Sequence, residues 1–162
     1  MLSTLSPIIL LNGSHNTLLP GDNRKPADVL IPNWARGQDA ALDITIVHPL
    51  QRDTVGGAAA TPGYALTYAH DRKMRGASEA CRAAGITFIP IVFESLGGVH
   101  HKTEVEVRKL ASAMASRSGQ EEEEASRHSF NRLSILLMKS NAAILSNRIP
   151  SFPEAHIDGN LI

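Results

Sequence analysis

Ala41-Leu42-Asp43-Ile44-Thr45-Ile46-Val47 is a β-branched, apolar run that ends before Pro49 and carries one acid near its middle. In a strand, Leu42, Ile44 and Ile46 point to one face while Asp43, Thr45 and Val47 point to the other, so Asp43 and Thr45 share a face. Upstream, Ala27-Asp28-Val29-Leu30-Ile31 is a second short β-type run, stopped by Pro32. The intervening Asn33-Trp34-Ala35-Arg36-Gly37-Gln38-Asp39 is polar and contains glycine, which suits the connection of an antiparallel pair.

Downstream, Gly56-Gly57 and Thr61-Pro62-Gly63 are expected to break the chain before a helix over 64–84, with Gly85 as its C-terminal cap. Leu66, Ala69, Ala77, Ala80 and Ala84 follow helical spacing, and Lys73 falls on the same stripe, where a lysine needs a partner. Ile86-Thr87-Phe88-Ile89-Pro90-Ile91-Val92-Phe93 then has the composition of a buried strand. A helix leading directly into it predicts a right-handed crossover and parallel pairing, and Gly97-Gly98 closes the unit. Two more helices are expected. The first carries a stripe of Val107, Leu110, Ala111 and Met114 and ends at Ser118-Gly119. The second spans 121–147, with Glu121 to Glu124 at the positive end of its dipole and Phe130, Leu133, Leu137 and Ile144 on its apolar face. The acidic run is thus a solvated helix start rather than a binding tail.

The chain has 162 residues, within the range of one domain. Residues 24–149 are assigned to that domain, residues 1–23 to an N-terminal arm in which Ile8 to Leu11 can add a strand, and residues 150–162 to a C-terminal tail. One Trp, two Tyr and four Phe leave the core to aliphatic side chains, which predicts modest stability. Lys plus Arg equals Asp plus Glu at 16 each, so net charge gives no argument for a polyanionic partner. With the Glu121 to Glu124 run set aside, however, the remainder is net basic. The single Cys81 cannot form an internal disulfide, which fits a reducing compartment, and it reads as a small apolar helix residue rather than a nucleophile. No apolar run approaches the length of a membrane span, and Pro7 to Leu11 is too short, with no basic start, to read as a signal peptide.

The order of these pieces carries a resemblance. Arg24-Lys25-Pro26-Ala27-Asp28, then Ala41-Leu42-Asp43-Ile44-Thr45, then His70-Asp71-Arg72-Lys73, followed by the strand Ile86 to Phe93 with Glu94-Ser95-Leu96-Gly97-Gly98, resembles the restriction-like endonuclease domain that follows the reverse transcriptase in some site-specific non-LTR retrotransposons. Those domains are similar to PD-(D/E)XK nucleases. The resemblance implies an α/β fold with a restriction-endonuclease-like core of antiparallel strand pair, helix and parallel strand, followed by additional C-terminal helices. It further implies a metal-dependent DNA endonuclease that hydrolyses phosphodiester bonds and acts inside the cell, in the nucleus if DNA is the substrate. Two sites would be needed to cut both strands, so a homodimer is an accompanying expectation. Thr45 occupies the position at which the plain motif carries its lysine, so the resemblance assigns the lysine to the helix, at Lys73.

The chemistry explains these residue types. A hard divalent cation, Mg²⁺ or Mn²⁺, neutralises charge on the phosphate and acidifies a bound water, and it prefers oxygen ligands. Asp28 and Asp43 are the expected carboxylate ligands, and by the resemblance the backbone carbonyl of Ile44 is the third. Lys73 is expected to position the attacking water and stabilise the transition state. Arg24, Arg36, His48 and Arg72 are the expected contacts to substrate.

Other readings of the same residues remain open. Asp28 can answer Arg24 or Lys25, Asp43 and Thr45 can form the solvent face of an edge strand, and Lys73 can run its stem along the core and expose its amine. Glu94 can be an ordinary solvated strand-end acid, and Trp34 packs over the hairpin rather than stacking on a base. The alternative function is a catalytically inactive, truncated retroelement-derived domain that binds nucleic acid or protein. Adjacent His100 and His101 are expected to point apart, and His15, His48, His70, His128 and His156 have no ligand-like spacing, which argues against zinc. There is no GxGxxG, Walker loop or serine nucleophile elbow.

Overall fold

The computed structural model describes residues 9–10 and 27–148. It is a mixed α/β arrangement: strands β1 (Ile9–Leu10), β2 (Val29–Ala35) and β3 (Gln38–Val47), helices α1 (Val55–Ala60) and α2 (Tyr64–Ala83), strand β4 (Thr87–Glu94), and helices α3 (His101–Ser118) and α4 (Glu122–Ser146). The sheet order is β1-β2-β3-β4, with β1/β2 and β2/β3 antiparallel and β3/β4 parallel.

The alternation along β3 divides the core. Ala41 and Val47 face α2, meeting Cys81 and Phe88 in one cluster and Ala65, Leu66, Ala69 and Val92 in another. Ala40 and Leu42 face the opposite side with Ile31, Ile89 and Ile91, against Trp34 and the α3 residue Leu110. The expected facing of Asp43 and Thr45 follows from the same pleat. Trp34 packs on the hairpin, as expected.

Several expectations need correction. Pro32 does not stop β2, and most of the segment 33–39 is strand, not connection. The hairpin turns tightly on Arg36 (φ 52°) and Gly37 (φ 81°), and the register slips between Ile31 and Ala35, where Asn33 also has positive φ. A bulge lets proline sit in the strand, because its missing N–H falls where the ladder is already interrupted. The pair Gly56-Gly57 does not break the chain but lies within the short α1. On α2, Ala80 and Ala84 are exposed and Cys81 takes the buried position, because the packed face follows Leu66, Ala69, His70 and Cys81. Asp43 and Thr45 do not form a solvent face: β3 lies between β2 and β4 in the sheet, although its pairing with β2 ends at Leu42, and α2 lies over this face.

Pro90 sits opposite Asp43 in the parallel ladder, yet the pairing is continuous from Ala40 to Val47. Peptide groups alternate between the two edges of a strand, and those of Val92 point away from β3: its C=O accepts from the His100 N–H at 3.1 Å and its N–H donates to Thr103 Oγ1 at 2.8 Å. Pro90, two residues away, presents its missing donor to that same outer edge, where it costs the β3 ladder nothing. The start of α3 therefore covers the open edge of β4 and satisfies its polar groups.

Candidate active site

Asp28 stands just before β2, and its backbone continues the ladder: its N–H donates to the Leu42 carbonyl at 2.8 Å. Two residues further along β3, the side chain takes over, and Asp28 Oδ2 accepts from the Ile44 N–H at 2.7 Å. A carboxylate thus ends the β2/β3 pairing. The N–H and C=O of a strand residue leave on the same edge, so the Ile44 carbonyl faces the edge that carries the Asp28 carboxylate.

Asp43, the residue before Ile44, points to the α2 face. There Lys73 Nζ lies 2.6 Å from Asp43 Oδ2, with the two side chains 31% and 14% exposed. Lys73 reaches Asp43 because α2 crosses back over β3 with its stripe of small residues against the sheet. The lysine stem follows the apolar face while its ammonium meets the one acid on the strand below. Burial raises the pKa of Asp43 above its ordinary value; the hydrogen bond and charge of Lys73 pull it down, and the nearby Asp28 carboxylate pushes it up. The Asp43 carboxyl therefore feels both Lys73 and Asp28, which brings the three expected catalytic residues into one electrostatic neighbourhood.

Among the described residues no group of three or more His, Cys, Asp or Glu side chains is placed to hold a metal ion. The donor set here is instead two carboxylates and one carbonyl edge. Such hard oxygen donors, few in number, suit Mg²⁺ or Mn²⁺, which retain several waters, and do not suit zinc. A divalent cation would also relieve the repulsion between Asp28 and Asp43. On donor chemistry the residues fit.

The expected substrate contacts are scattered. Arg36 occupies the hairpin tip, about 20 Å along β3 from Asp43 at strand rise, so it does not join the site. Arg72 is exposed on α2 beside Lys73 but turned about 100° around the helix. His48 follows β3 and pairs through Nδ1 with Ser95 Oγ at 2.8 Å, while the Ser95 carbonyl accepts from Asn141 Nδ2 at 2.6 Å. This ties the ends of β3 and β4 to α4 rather than to Asp43. Arg24 lies outside the described residues. Glu94 is the last residue of β4, with its side chain against Gly98.

The structure also builds a feature that the sequence reading missed. His70 and His100 stack with ring centroids 4.3 Å apart and an 18° interplanar angle, and His101 continues the column at 4.3 Å. The adjacent pair therefore does not point apart, because His100 precedes the first turn of α3 in an extended conformation (ψ 137°) while His101 is the first helical residue. His100 is 3% exposed and its Nδ1 has no hydrogen-bond partner among the described residues. Burial, with the neighbouring His70 and His101, lowers its pKa to about 4. His70 Nδ1 pairs with Asp71 Oδ1 at 3.0 Å, and that contact holds the Asp71 carboxyl below its usual value. The one sequence-level signal was that His70 precedes Lys73 by a helical turn and so shares its face.

Among the described residues no helix is long and apolar enough to cross a membrane. No protein-family model, curated protein or solved structure matches the chain.

Proposed function

We propose that the chain is a metal-dependent DNA endonuclease domain with a restriction-endonuclease-like core, related to those of retroelements and working through Asp28, Asp43 and Lys73. The observation that supports this reading is the meeting of a helix-borne lysine with Asp43 at 2.6 Å, beside a second acid that is bonded to the very next peptide of the same strand. Parallel pairing of β3 with β4 across α2 is compatible with such a core.

In this reading Asp28, Asp43 and the Ile44 carbonyl hold Mg²⁺ or Mn²⁺, which when bound supplies charge neutralisation at the phosphate and a more acidic water. Lys73 keeps its ammonium on the reacting side of the acid pair, where its N–H groups orient the attacking oxygen and donate to charge developing on the phosphoryl oxygens. The contact to Asp43 limits the rotamers of a flexible chain in advance of the reaction. Arg72 and His48 are the remaining expected contacts for the DNA backbone. With DNA as substrate the proposed location is intracellular, and nuclear.

The test is plasmid nicking in Mg²⁺ and in Mn²⁺ by the wild type, Asp43→Ala and Lys73→Ala, each verified as folded. Activity that requires the metal and falls by about 10²- to 10⁴-fold in both variants is the expected result. A second reading, an inactive domain that binds nucleic acid or protein, is favoured by the same ion pair, because a lysine closed on its acid also satisfies a buried charge. A folded wild type that binds DNA without nicking it would establish that reading and overturn the first.

A further inference from the structure

Strands β3 and β4 run parallel and end side by side, and ligands of open α/β sheets collect beyond such carboxyl ends. At this edge Ser95 Oγ and His48 Nδ1 lie 2.8 Å apart, within the reach that lets an imidazole take a hydroxyl proton. The backbone holds the serine in place. Its N–H donates to the Val47 carbonyl at 2.9 Å, and its carbonyl accepts from Asn141 Nδ2 of α4 at 2.6 Å. Around the turn the N–H groups of Glu94, Ser95 and Gly97 are bonded to carbonyls, which leaves the N–H of Leu96, directly after the serine, free among the described residues. Gly97 (φ 105°) brings no side chain to the turn, and the space beside it is open.

A groove begins beside this pair. About 150 Å³ in volume, it runs between α4 and the sheet face opposite α2, walled by Ile46, Phe93, Leu133 and Leu137. Gly97 and Ser140 also line it, the first from the turn that carries Ser95 and the second next to Asn141. The alternation that points Ile44 and Ile46 into the groove carries His48 to the same face. An apolar cavity of this size takes a group as large as a benzene ring, or a chain of about six carbons.

We propose that this edge is a second catalytic site, which hydrolyses esters of short carboxylic acids with Ser95 as nucleophile, His48 as general base and the groove as acyl pocket. Ser95 Oγ attacks the ester carbonyl carbon as its proton passes to His48 Nδ1, and the oxyanion that forms takes the Leu96 N–H as donor. The bond from that carbon to the alcohol oxygen then breaks, the alcohol leaves with the proton from Nδ1, and the acyl group stays on Ser95. Water attacks the acyl group and gives a proton to Nδ1; Ser95 Oγ leaves, recovers that proton, and the carboxylic acid is released. No metal takes part. The proposal goes beyond the nuclease reading and gives His48 a task other than the DNA contact expected of it there.

Hydrolysis of p-nitrophenyl butyrate by the full chain in EDTA tests it, with mass spectrometry to locate a butyryl group. An initial burst of p-nitrophenol and acylation of Ser95 are expected, with turnover lowered by at least about 10²-fold in Ser95→Ala and in His48→Gln. Ile46→Trp, at a side chain 52% exposed, fills the groove and should raise KM for the butyrate ester more than for the acetate ester. A folded wild type with no turnover above buffer overturns the proposal, and so does turnover that survives Ser95→Ala or an acyl group found only on other residues. Equal KM changes for the two esters would overturn the groove as acyl pocket. Because the assay holds no free divalent metal, its result stands whether or not the chain nicks DNA.

Discussion

Lys73 Nζ and Asp43 Oδ2 lie 2.6 Å apart across the interface between α2 and β3, and the acid of that pair is the more buried partner. Breaking the pair from the lysine side leaves a half-desolvated carboxylate facing apolar neighbours. Lys73→Met should therefore cost about 1–3 kcal/mol in urea unfolding, while Asp43→Asn costs less and the double variant less than the sum. Strictly additive losses would mean that the two groups do not interact in solution.

Asp43 also sets a pH dependence. Its folded pKa is raised, so the folded state holds this proton more tightly than the unfolded chain does. Stability attributable to Asp43 is then greatest at low pH and falls as pH rises from its ordinary value of 3.8 through the folded pKa. Asp43→Asn should flatten the stability curve in that acidic window, as followed by chemical denaturation at stepped pH.

His100 acts with the opposite slope. Its folded pKa is lowered to about 4 from 6.5, so its neutral form is the folded one and the unfolded chain takes the proton first. Stability is complete above pH 6.5 and declines as pH falls toward 4, by about 1–2 kcal/mol after allowance for solvent screening around the column. In His100→Gln this decline should vanish. An unchanged profile would mean that the His70–His100–His101 column is open to water.

Thr103 is fully buried, and its hydroxyl oxygen accepts the Val92 N–H on the outer edge of β4. Thr103→Val conserves shape but strands that N–H, so a loss of about 1–3 kcal/mol is expected, with faster amide exchange at Val92. Thr103→Ser should retain most of the stability.

The hairpin tip offers a gain. Arg36 and Gly37 both have positive φ, a turn in which Asn-Gly is the favoured dipeptide. Arg36→Asn should raise stability by about 0.5–1 kcal/mol, and Gly37→Ala should lower it by about 1 kcal/mol. Because Arg36 is far from Asp43 along β3, Arg36→Asn should leave any nicking activity unchanged.

Much of the fold was legible because it depends on local pattern. The period-two alternation of β3 placed Asp43 and Thr45 on one face, the helical spacing from Leu66 put Lys73 on the packed side of α2, and the apolar run after Gly85 predicted a strand parallel to a neighbour in the sheet, which the structure identifies as β3. The errors arose where local signals competed with tertiary partners. Pro32 and Gly56-Gly57 punctuate a chain read in isolation, but a bulge absorbs the proline and a short helix forms through the glycines.

By itself, then, the sequence determined the longer elements, their order and the identity of the charged residues Asp43 and Lys73 on their inner faces, since periodicity and turn chemistry act over a few residues. Only the tertiary structure decided which of those residues meet. Asp28 reaches the Ile44 peptide through the strand register, Lys73 reaches Asp43 through the crossing of α2 over β3, and His100 reaches His70 because α3 begins on the open edge of β4. Each contact joins groups distant in sequence, and its distance is set by packing between whole elements, which no local pattern encodes.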